Sequence, residues 1–129
     1  MEAKHIMTKD VVTVRPTTSV RTLATILIKN QISGAPVANK GGKIVGIVSE
    51  ADIVARKGKQ VKDIMSNKVI NVTEETSVEE IARIMTTHGI KRLPVMKGDK
   101  VVGIISRADI VGAIALGKHI ALHTPVYDL

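Results

Sequence analysis

The sequence of 129 residues contains no cysteine, phenylalanine or tryptophan, and Tyr127 is its single aromatic residue. Without cysteine the chain can form no disulfide and perform no thiol chemistry, which fits a reducing compartment, so we expect a cytoplasmic protein. A single aromatic side chain argues against a protein that binds single-stranded nucleic acid by stacking its bases on aromatic residues. An adenine ring, if one binds, must therefore lie between aliphatic side chains.

Long apolar runs and an N-terminal targeting signal are also missing. No run approaches the roughly 18 apolar residues that a membrane span needs, and the N-terminus lacks the basic stretch and apolar core of a signal peptide. The sequence holds no Gly-rich phosphate loop of the Walker or dinucleotide type, no plausible Ser/His/Asp set and no convincing set of metal ligands. We therefore expect no membrane association, no catalytic residues and no bound metal.

Acidic residues are few relative to basic ones. The formal net charge is +7 and the pI is near 9.9. Residues 1–57 carry nine Lys and Arg against four Asp and Glu, whereas residues 62–117 carry eight against seven. A basic balance favours polyanionic partners, so RNA or another nucleic acid stays open as an alternative ligand.

One motif occurs twice in the chain, Gly-x-x-Ser-x-x-Asp at Gly46–Asp52 and again at Gly103–Asp109. In each copy an apolar run stops at the serine and Ile-Val follows the aspartate, which predicts a strand that runs directly into a helix. The flanking sequence repeats as well, because Ile6–Thr8 returns as Ile64–Ser66 at an offset of 58. This internal duplication predicts two half-domains, neither of which would bury much surface alone.

Each copy predicts the order strand, helix, strand, strand, helix. The first helices show apolar residues at i, i+3, i+4 and i+7 and begin after Ser or Thr, and Ser77 with Glu80 has the spacing of a capping box. The short turn between the two later strands predicts an antiparallel hairpin. The predicted elements are the strand Val11–Arg15, helices from Val20 and Val78, hairpins Ala35–Ala38 with Ile44–Val48 and Leu93–Met96 with Val101–Ile105, and helices Glu50–Arg56 and Arg107–Leu116.

These motifs together resemble a pair of CBS domains, the tandem module named after cystathionine beta-synthase, over residues 4–117. The resemblance implies an α+β fold (an α/β-type repeat) of two β-α-β-β-α units packed with pseudo-twofold symmetry. We expect repeat 1 at residues 1–57, repeat 2 at 58–117 and a C-terminal extension at 118–129. The family further implies a non-catalytic sensor that binds AMP, ADP, ATP or S-adenosylmethionine, and a homodimer built as a disc of four repeats.

The Ser-x-x-Asp part of the motif has two physical interpretations. A serine that ends a strand and begins a helix leaves backbone N–H groups for a phosphate, and an aspartate one turn later can accept both hydroxyls of a ribose. Alternatively, Ser49 with Asp52 and Ser106 with Asp109 are simply capping boxes. Both interpretations stay open from the residues alone.

A basic pair distinguishes the two copies. Copy two has Lys91 and Arg92 where copy one has Ser33 and Gly34. The stretch resembles the gamma subunit of AMP-activated protein kinase, in which a basic pair at the matching positions contacts phosphate. Arg can fork onto phosphate oxygens and Lys supplies a point charge, although both could be solvated charges at a strand edge.

The family resemblance implies two ligand clefts, each combining the Ser-x-x-Asp motif of one copy with the first strand and pre-proline segment of the other. We expect only the first cleft, which has the basic pair, to prefer a more phosphorylated ligand. The alternatives are a nucleic-acid-binding protein or a structural dimer with empty clefts. The first cleft would contain Ile47, Ser49, Asp52, Ile70, Asn71, Val72, Ile90, Lys91, Arg92 and Pro94, and the second Ile104, Ser106, Asp109, Val12, Thr13, Val14, Ile32, Ser33 and Pro36.

Overall fold

The computed structural model describes residues 1–117, and the predicted extension at 118–129 lies outside the described residues. Helices and strands alternate in the order expected for two copies of one unit, so the predicted α+β fold is confirmed. The elements are α1 (Ala3–Ile6), α2 (Val20–Asn30), β1 (Gly34–Ala38), β2 (Ile44–Ser49), α3 (Glu50–Ala55), α4 (Val61–Ile64), β3 (Val72–Thr73), α5 (Val78–His88), β4 (Arg92–Lys97), β5 (Lys100–Ser106) and α6 (Arg107–Ala115).

The two long helices begin at the predicted serine caps. Ser19 Oγ accepts a hydrogen bond from the Thr22 N–H at 3.0 Å, and Ser77 Oγ accepts one from the Glu80 N–H at 3.1 Å. The second bond of a capping box, from the Ser77 N–H to the Glu80 carboxylate, is not formed. That carboxylate accepts from Arg83 instead, whose Nε lies 3.0 Å from Oε2. This carboxylate raises the pKa of the Arg83 guanidinium through hydrogen bonding and charge.

Both long helices end at a residue in the left-handed conformation. Gly89 ends α5 with φ 64°, and Gln31 ends α2 with φ 54°. Positions 31 and 89 are equivalent at the offset of 58, so the first copy places a glutamine where the second uses glycine. The left-handed region costs a side chain with a Cβ some energy that glycine avoids.

Residues 10–70 form one compact unit, joined by 98–101. Its sheet is the antiparallel hairpin of β1 and β2, with Gly34 opposite Ser49. The predicted strand at residues 11–15 is reduced to one parallel bridge between Val14 and Val37. Pro16 follows at once and lacks the N–H that a continuing strand would need.

The core of this unit lies between α2 and the hairpin. Leu23 and Leu27 project from one face of α2 and are buried, as the helical spacing predicted. Burying a side chain of this size is worth about 1.5–3 kcal/mol, so this face holds α2 on the sheet. The cluster consists of Val14, Leu23, Leu27, Val37, Val48, Val61 and Ile64.

The second compact unit contains Met1–Lys9, Asn71–Lys97 and the described residues from Val102 onward. Its sheet has the strand order β3-β4-β5, in which β3 pairs in parallel with β4 through Val72 and Val95. The buried apolar residues of α5 are Val78, Ile81 and Met85. They repeat the core-facing pattern of α2.

Each sheet is completed by the Ile-Met-Thr/Ser segment that begins the other repeat. Thr8 forms an antiparallel bridge with Ile104, and Ser66 forms one with Ile47. The paired N–H to O distances are 2.9 and 2.9 Å for the first bridge and 2.8 and 3.0 Å for the second. The segment that opens repeat 1 therefore belongs to the compact unit of repeat 2, and the segment that opens repeat 2 belongs to the unit of repeat 1. The predicted division of the chain at residue 57 stays a prediction.

The glycine of the duplicated motif makes room for that segment. A Cβ on Gly46 would lie 2.7 Å from Met65 Sδ and 2.8 Å from the Ser66 carbonyl oxygen. A Cβ on Gly103 would overlap the Met7 side chain. Only a residue without a side chain allows the segment to approach the strand this closely.

Candidate functional site

Both Ser-x-x-Asp motifs form capping boxes at the junction of a strand and a helix. The Ser49 N–H donates to Asp52 Oδ2 at 2.9 Å, and the Ser106 N–H donates to Asp109 Oδ2 at 2.8 Å. The four residues are half-buried. The structural interpretation of the motif is thus correct, and one carboxylate oxygen of each aspartate serves the local fold.

The second carboxylate oxygen is used differently in the two copies. Asp52 Oδ1 lies 3.7 Å from Arg56 Nε, and the same guanidinium donates through Nη1 to the Met65 carbonyl at 3.3 Å. The residue four positions after Asp109 is Ala113, which carries no charge. Within residues 1–117 Asp109 Oδ1 has no partner, so this oxygen can accept a hydrogen bond from a ligand.

The start of α6 offers fewer free N–H groups than the sequence suggested. The Arg107 N–H donates to the Lys91 carbonyl at 2.9 Å, and the Asp109 N–H donates to Ser106 Oγ at 3.2 Å. Of the first three N–H groups, only that of Ala108 lacks a partner among the described residues. A phosphate at this position would therefore depend on side chains more than on the helix terminus.

Lys91 lies beside the Ser-x-x-Asp motif of its own repeat. The hydrogen bond from Arg107 to its carbonyl fixes the backbone of the basic pair at the first residue of α6. Lys91 is exposed and Arg92, the first residue of β4, is half-buried. Sequence reasoning grouped Lys91 with Asp52 and missed this neighbourhood, although the predicted hairpin contained the signal: the residue before its first strand must lie near the end of its second.

The first copy repeats this arrangement without the cations. The Glu50 N–H donates to the Ser33 carbonyl at 2.9 Å, and Pro36 pairs with Ile47 across the hairpin. The Val14 N–H donates to the Pro36 carbonyl at 3.1 Å. First strand, pre-proline segment and Ser-x-x-Asp motif thus meet in one sheet.

The predicted ligand residues divide between the two compact units. Each predicted cleft joins residues of both units, so the grouping into clefts stays a prediction. The first unit contains Val12, Thr13, Val14, Ile32, Ser33, Pro36, Ile47, Ser49, Asp52 and Ile70, and the second contains Asn71, Val72, Ile90, Lys91, Arg92, Pro94, Ile104, Ser106 and Asp109.

Residues 1–117 contain neither a metal-binding cluster nor a membrane-spanning helix. No group of three or more His, Cys, Asp or Glu side chains lies close enough to hold a metal ion there. None of the helices in this part of the chain has the length and apolar character required to cross a membrane.

The CBS domain family model matches residues 3–58 and 61–116. The chain belongs to the CBS domain family. The family resemblance drawn from the duplicated motifs is therefore confirmed, and the two matched segments correspond to the two copies of the β-α-β-β-α unit.

The chain resembles part of two longer curated proteins. The chain is 34% identical over 113 residues to inosine-5'-monophosphate dehydrogenase of Methanocaldococcus jannaschii, covering 85% of this chain and 23% of the enzyme. It is 34% identical over 111 residues to the L-aspartate semialdehyde sulfurtransferase of the same organism, covering 83% of this chain and 22% of that protein. The chain thus spans less than a quarter of the length of these two relatives.

Solved CBS pairs share the fold closely. A CBS domain pair in complex with 5'-methylthioadenosine and S-adenosyl-L-methionine has a TM-score of 0.86 at 32% identity, covering 92% of this chain and 98% of that chain. CBSX2 in complex with AMP has a TM-score of 0.83 at 28% identity, with the same two coverages. Both structures are CBS pairs that hold adenosine-containing molecules.

Proposed function

We propose that this CBS pair is a regulatory sensor that binds an adenosine-containing ligand, with AMP, ADP, ATP and S-adenosylmethionine as the candidates. The single observation that carries the proposal is the free oxygen of Asp109, held by its capping box next to the anchored Lys91. A carboxylate oxygen can accept a hydrogen bond from a ribose hydroxyl, and an ammonium or guanidinium group can bind phosphate. The solved CBS pairs with adenosyl ligands support the same chemistry.

The two copies should bind such a ligand unequally. In the second copy Asp109 keeps one oxygen available, and the backbone of Lys91 is hydrogen-bonded to Arg107, the first residue of the same helix. In the first copy the second carboxylate oxygen of Asp52 forms an ion pair with Arg56. Ser33 stands where the other copy has Lys91. We infer that a phosphorylated nucleotide prefers the residues around Asp109, and that the copy around Asp52 is weaker or takes a less charged adenosyl compound. This proposal reverses the preference expected from the sequence, which grouped the basic pair with Asp52.

We further propose that the protein has no catalytic activity of its own, requires no cofactor and acts by shifting the state of a partner or of a homodimer. A ligand can do this only if it binds the two states with different affinity. Exposed apolar side chains on and after α6, Val111 at 65% and Leu116 at 81%, are compatible with a subunit contact. The proposed location is cytoplasmic.

Isothermal calorimetry with AMP, ADP, ATP, S-adenosylmethionine and 5'-methylthioadenosine tests the proposal. We expect at least one ligand to bind. The double variant Lys91→Ala with Arg92→Ala should weaken the binding of ATP at least about tenfold, since each hydrogen bond to a charged group is worth about 1.5–3 kcal/mol. The matched control is Lys97→Ala with Lys100→Ala, which removes the same charge from the far end of the same hairpin.

Three results would contradict the proposal. Absence of heat with every ligand, together with unchanged thermal unfolding, would exclude the adenosyl sensor, because a ligand at about 100 times its dissociation constant adds roughly 2.7 kcal/mol of stability. Equal loss of affinity in both double variants would reduce the basic pair to a general charge effect. An Asp109→Asn variant with unchanged affinity would exclude that carboxylate as the ribose acceptor.

A further inference from the structure

The positive charge of the protein belongs to one of its two compact units. Residues 10–70 with 98–101 carry eleven Lys and Arg against five Asp and Glu, whereas the other described residues carry seven against six. The first unit therefore holds +6 of the formal net charge of +7. Between Asp10 and Glu50 there is no acidic residue at all.

Five of these cations lie on two segments that run side by side or within two residues of their ends. The Lys62 N–H donates to the Pro16 carbonyl at 2.9 Å, and the Val20 N–H donates to the Lys59 carbonyl at 2.9 Å. These bonds form a short ladder that fixes residues 59–62 along residues 16–20. Arg15 precedes and Arg21 follows the segment 16–20. We call the exposed basic side chains on this ladder and beside its ends the basic surface: Arg15, Arg21, Lys57, Lys59 and Lys62.

The charge of the basic surface is not neutralised by the protein. Within residues 1–117 no residue of the basic surface forms an ion pair, unlike Lys4 with Glu2, Arg56 with Asp52 and Arg83 with Glu80. The one carboxylate in the ladder is Asp63, whose Oδ2 accepts the N–H groups of Lys59 and Gln60 at 3.2 and 3.0 Å. A cluster of unpaired positive charges repels itself, and a polyanion that binds to it removes this repulsion.

We propose that the basic surface binds the phosphate backbone of a double-stranded nucleic acid, independently of any adenosyl ligand. A duplex carries one negative charge per about 1.7 Å of its axis and can be held through phosphates alone. Residues 1–117 contain no aromatic side chain, so stacking cannot favour a single strand.

A lipid surface fits this part of the molecule less well. The exposed residues between the cations include Thr17 and Ser19, both polar, and no large exposed apolar side chain lies in residues 15–21 or 57–62. Stable membrane attachment usually adds an inserted apolar group or a lipid anchor to a basic patch. The nucleic acid duplex is therefore the partner to which the proposal commits.

Fluorescence anisotropy with a labelled duplex of about 20 base pairs, measured over a salt series without nucleotide, tests the proposal. If all five cations contact phosphates, the slope of log K against log salt is about −4.5. Lys59→Ala with Lys62→Ala, and separately Arg15→Ala with Arg21→Ala, should each make the slope less steep by about 1.8. The backbone hydrogen bonds of the ladder do not need these side chains, and unchanged thermal unfolding of the variants verifies that the fold is kept.

The matched control is Lys9→Ala with Lys97→Ala, which removes two exposed charges from the other compact unit. A control slope equal to that of the unmodified protein supports the basic surface. The proposal is overturned if the control loses as much as the other doubles, if no duplex binds at low salt, or if a single strand of equal length binds more tightly. Binding to phosphatidylserine vesicles but not to the duplex would overturn it in favour of a membrane. None of these outcomes depends on whether an adenosyl ligand binds.

Discussion

Gly103 contacts a segment that is far from it in sequence, and an alanine there tests whether the motif glycine exists for that contact. The new Cβ would overlap Met7 Sδ and lie 2.8 Å from its Cγ and 3.1 Å from its Cβ. Extra atoms in a filled space cost about 1–3 kcal/mol. Replacing glycine in a strand returns about 0.5–1 kcal/mol of that, so we expect Gly103→Ala to lower the free energy of unfolding by about 1–2 kcal/mol.

The atoms that the new methyl group meets all belong to the side chain of Met7. Truncating that side chain with Met7→Ala removes Sδ and Cγ, so Gly103→Ala should cost little in this background. The other copy provides the control, because a Cβ on Gly46 would also lie 2.8 Å from the backbone oxygen of Ser66. Met65→Ala cannot remove that oxygen and should not rescue Gly46→Ala.

Urea unfolding of the single and double variants at one protein concentration measures both couplings. A loss of 1 kcal/mol corresponds to a fall in melting temperature of about 3–5 °C for a chain of this length. Strict additivity of Gly103→Ala and Met7→Ala would refute the reasoning, as would a Gly103→Ala variant as stable as the original protein. The exchange of opening segments between the units would then not explain why the motif begins with glycine.

Two further predictions follow from single contacts. Gln31→Gly should raise the free energy of unfolding by about 0.5–1 kcal/mol, because it removes the strain of a left-handed glutamine at the end of α2. The entropy that glycine gains in the unfolded chain offsets part of this gain. A destabilised variant in urea unfolding contradicts this. Arg56→Ala should tighten 5'-methylthioadenosine, which carries no phosphate, by up to about fivefold, since an exposed ion pair is worth about 0.2–1 kcal/mol. Calorimetry in an Asp109→Asn background isolates the Asp52 copy, and equal or weaker affinity there excludes Arg56 as a competitor for that carboxylate.

Much of the fold could be predicted because its signals are local. The apolar spacing after Ser19 and Ser77 sets the position of the two long helices, and the structure begins them at those residues. The capping boxes of Ser49 and Ser106 need only residues three positions apart. Two local predictions were wrong. The strand at residues 11–15 is reduced to the bridge of Val14 with Val37, and the hydrogen bond from the Ser77 N–H to the Glu80 carboxylate is not formed, because Arg83 offers that carboxylate an opposite charge at the same spacing.

The sequence by itself determined the duplication, the positions of the two long helices and of the hairpins, the CBS family and the capping spacing of the Ser-x-x-Asp motif. The tertiary structure decided that Thr8 completes the sheet of Ile104, that Lys91 lies at the start of α6, and that Arg56 takes the second oxygen of Asp52. The first joins segments far apart in the chain, and periodicity carries no information about which distant segments pair. The second was implied by the predicted hairpin, but the hydrogen bond from the Arg107 N–H to the Lys91 carbonyl is a property of the folded chain. The third depends on which way one long side chain turns, since the spacing of Arg56 and Asp52 permits the contact without requiring it.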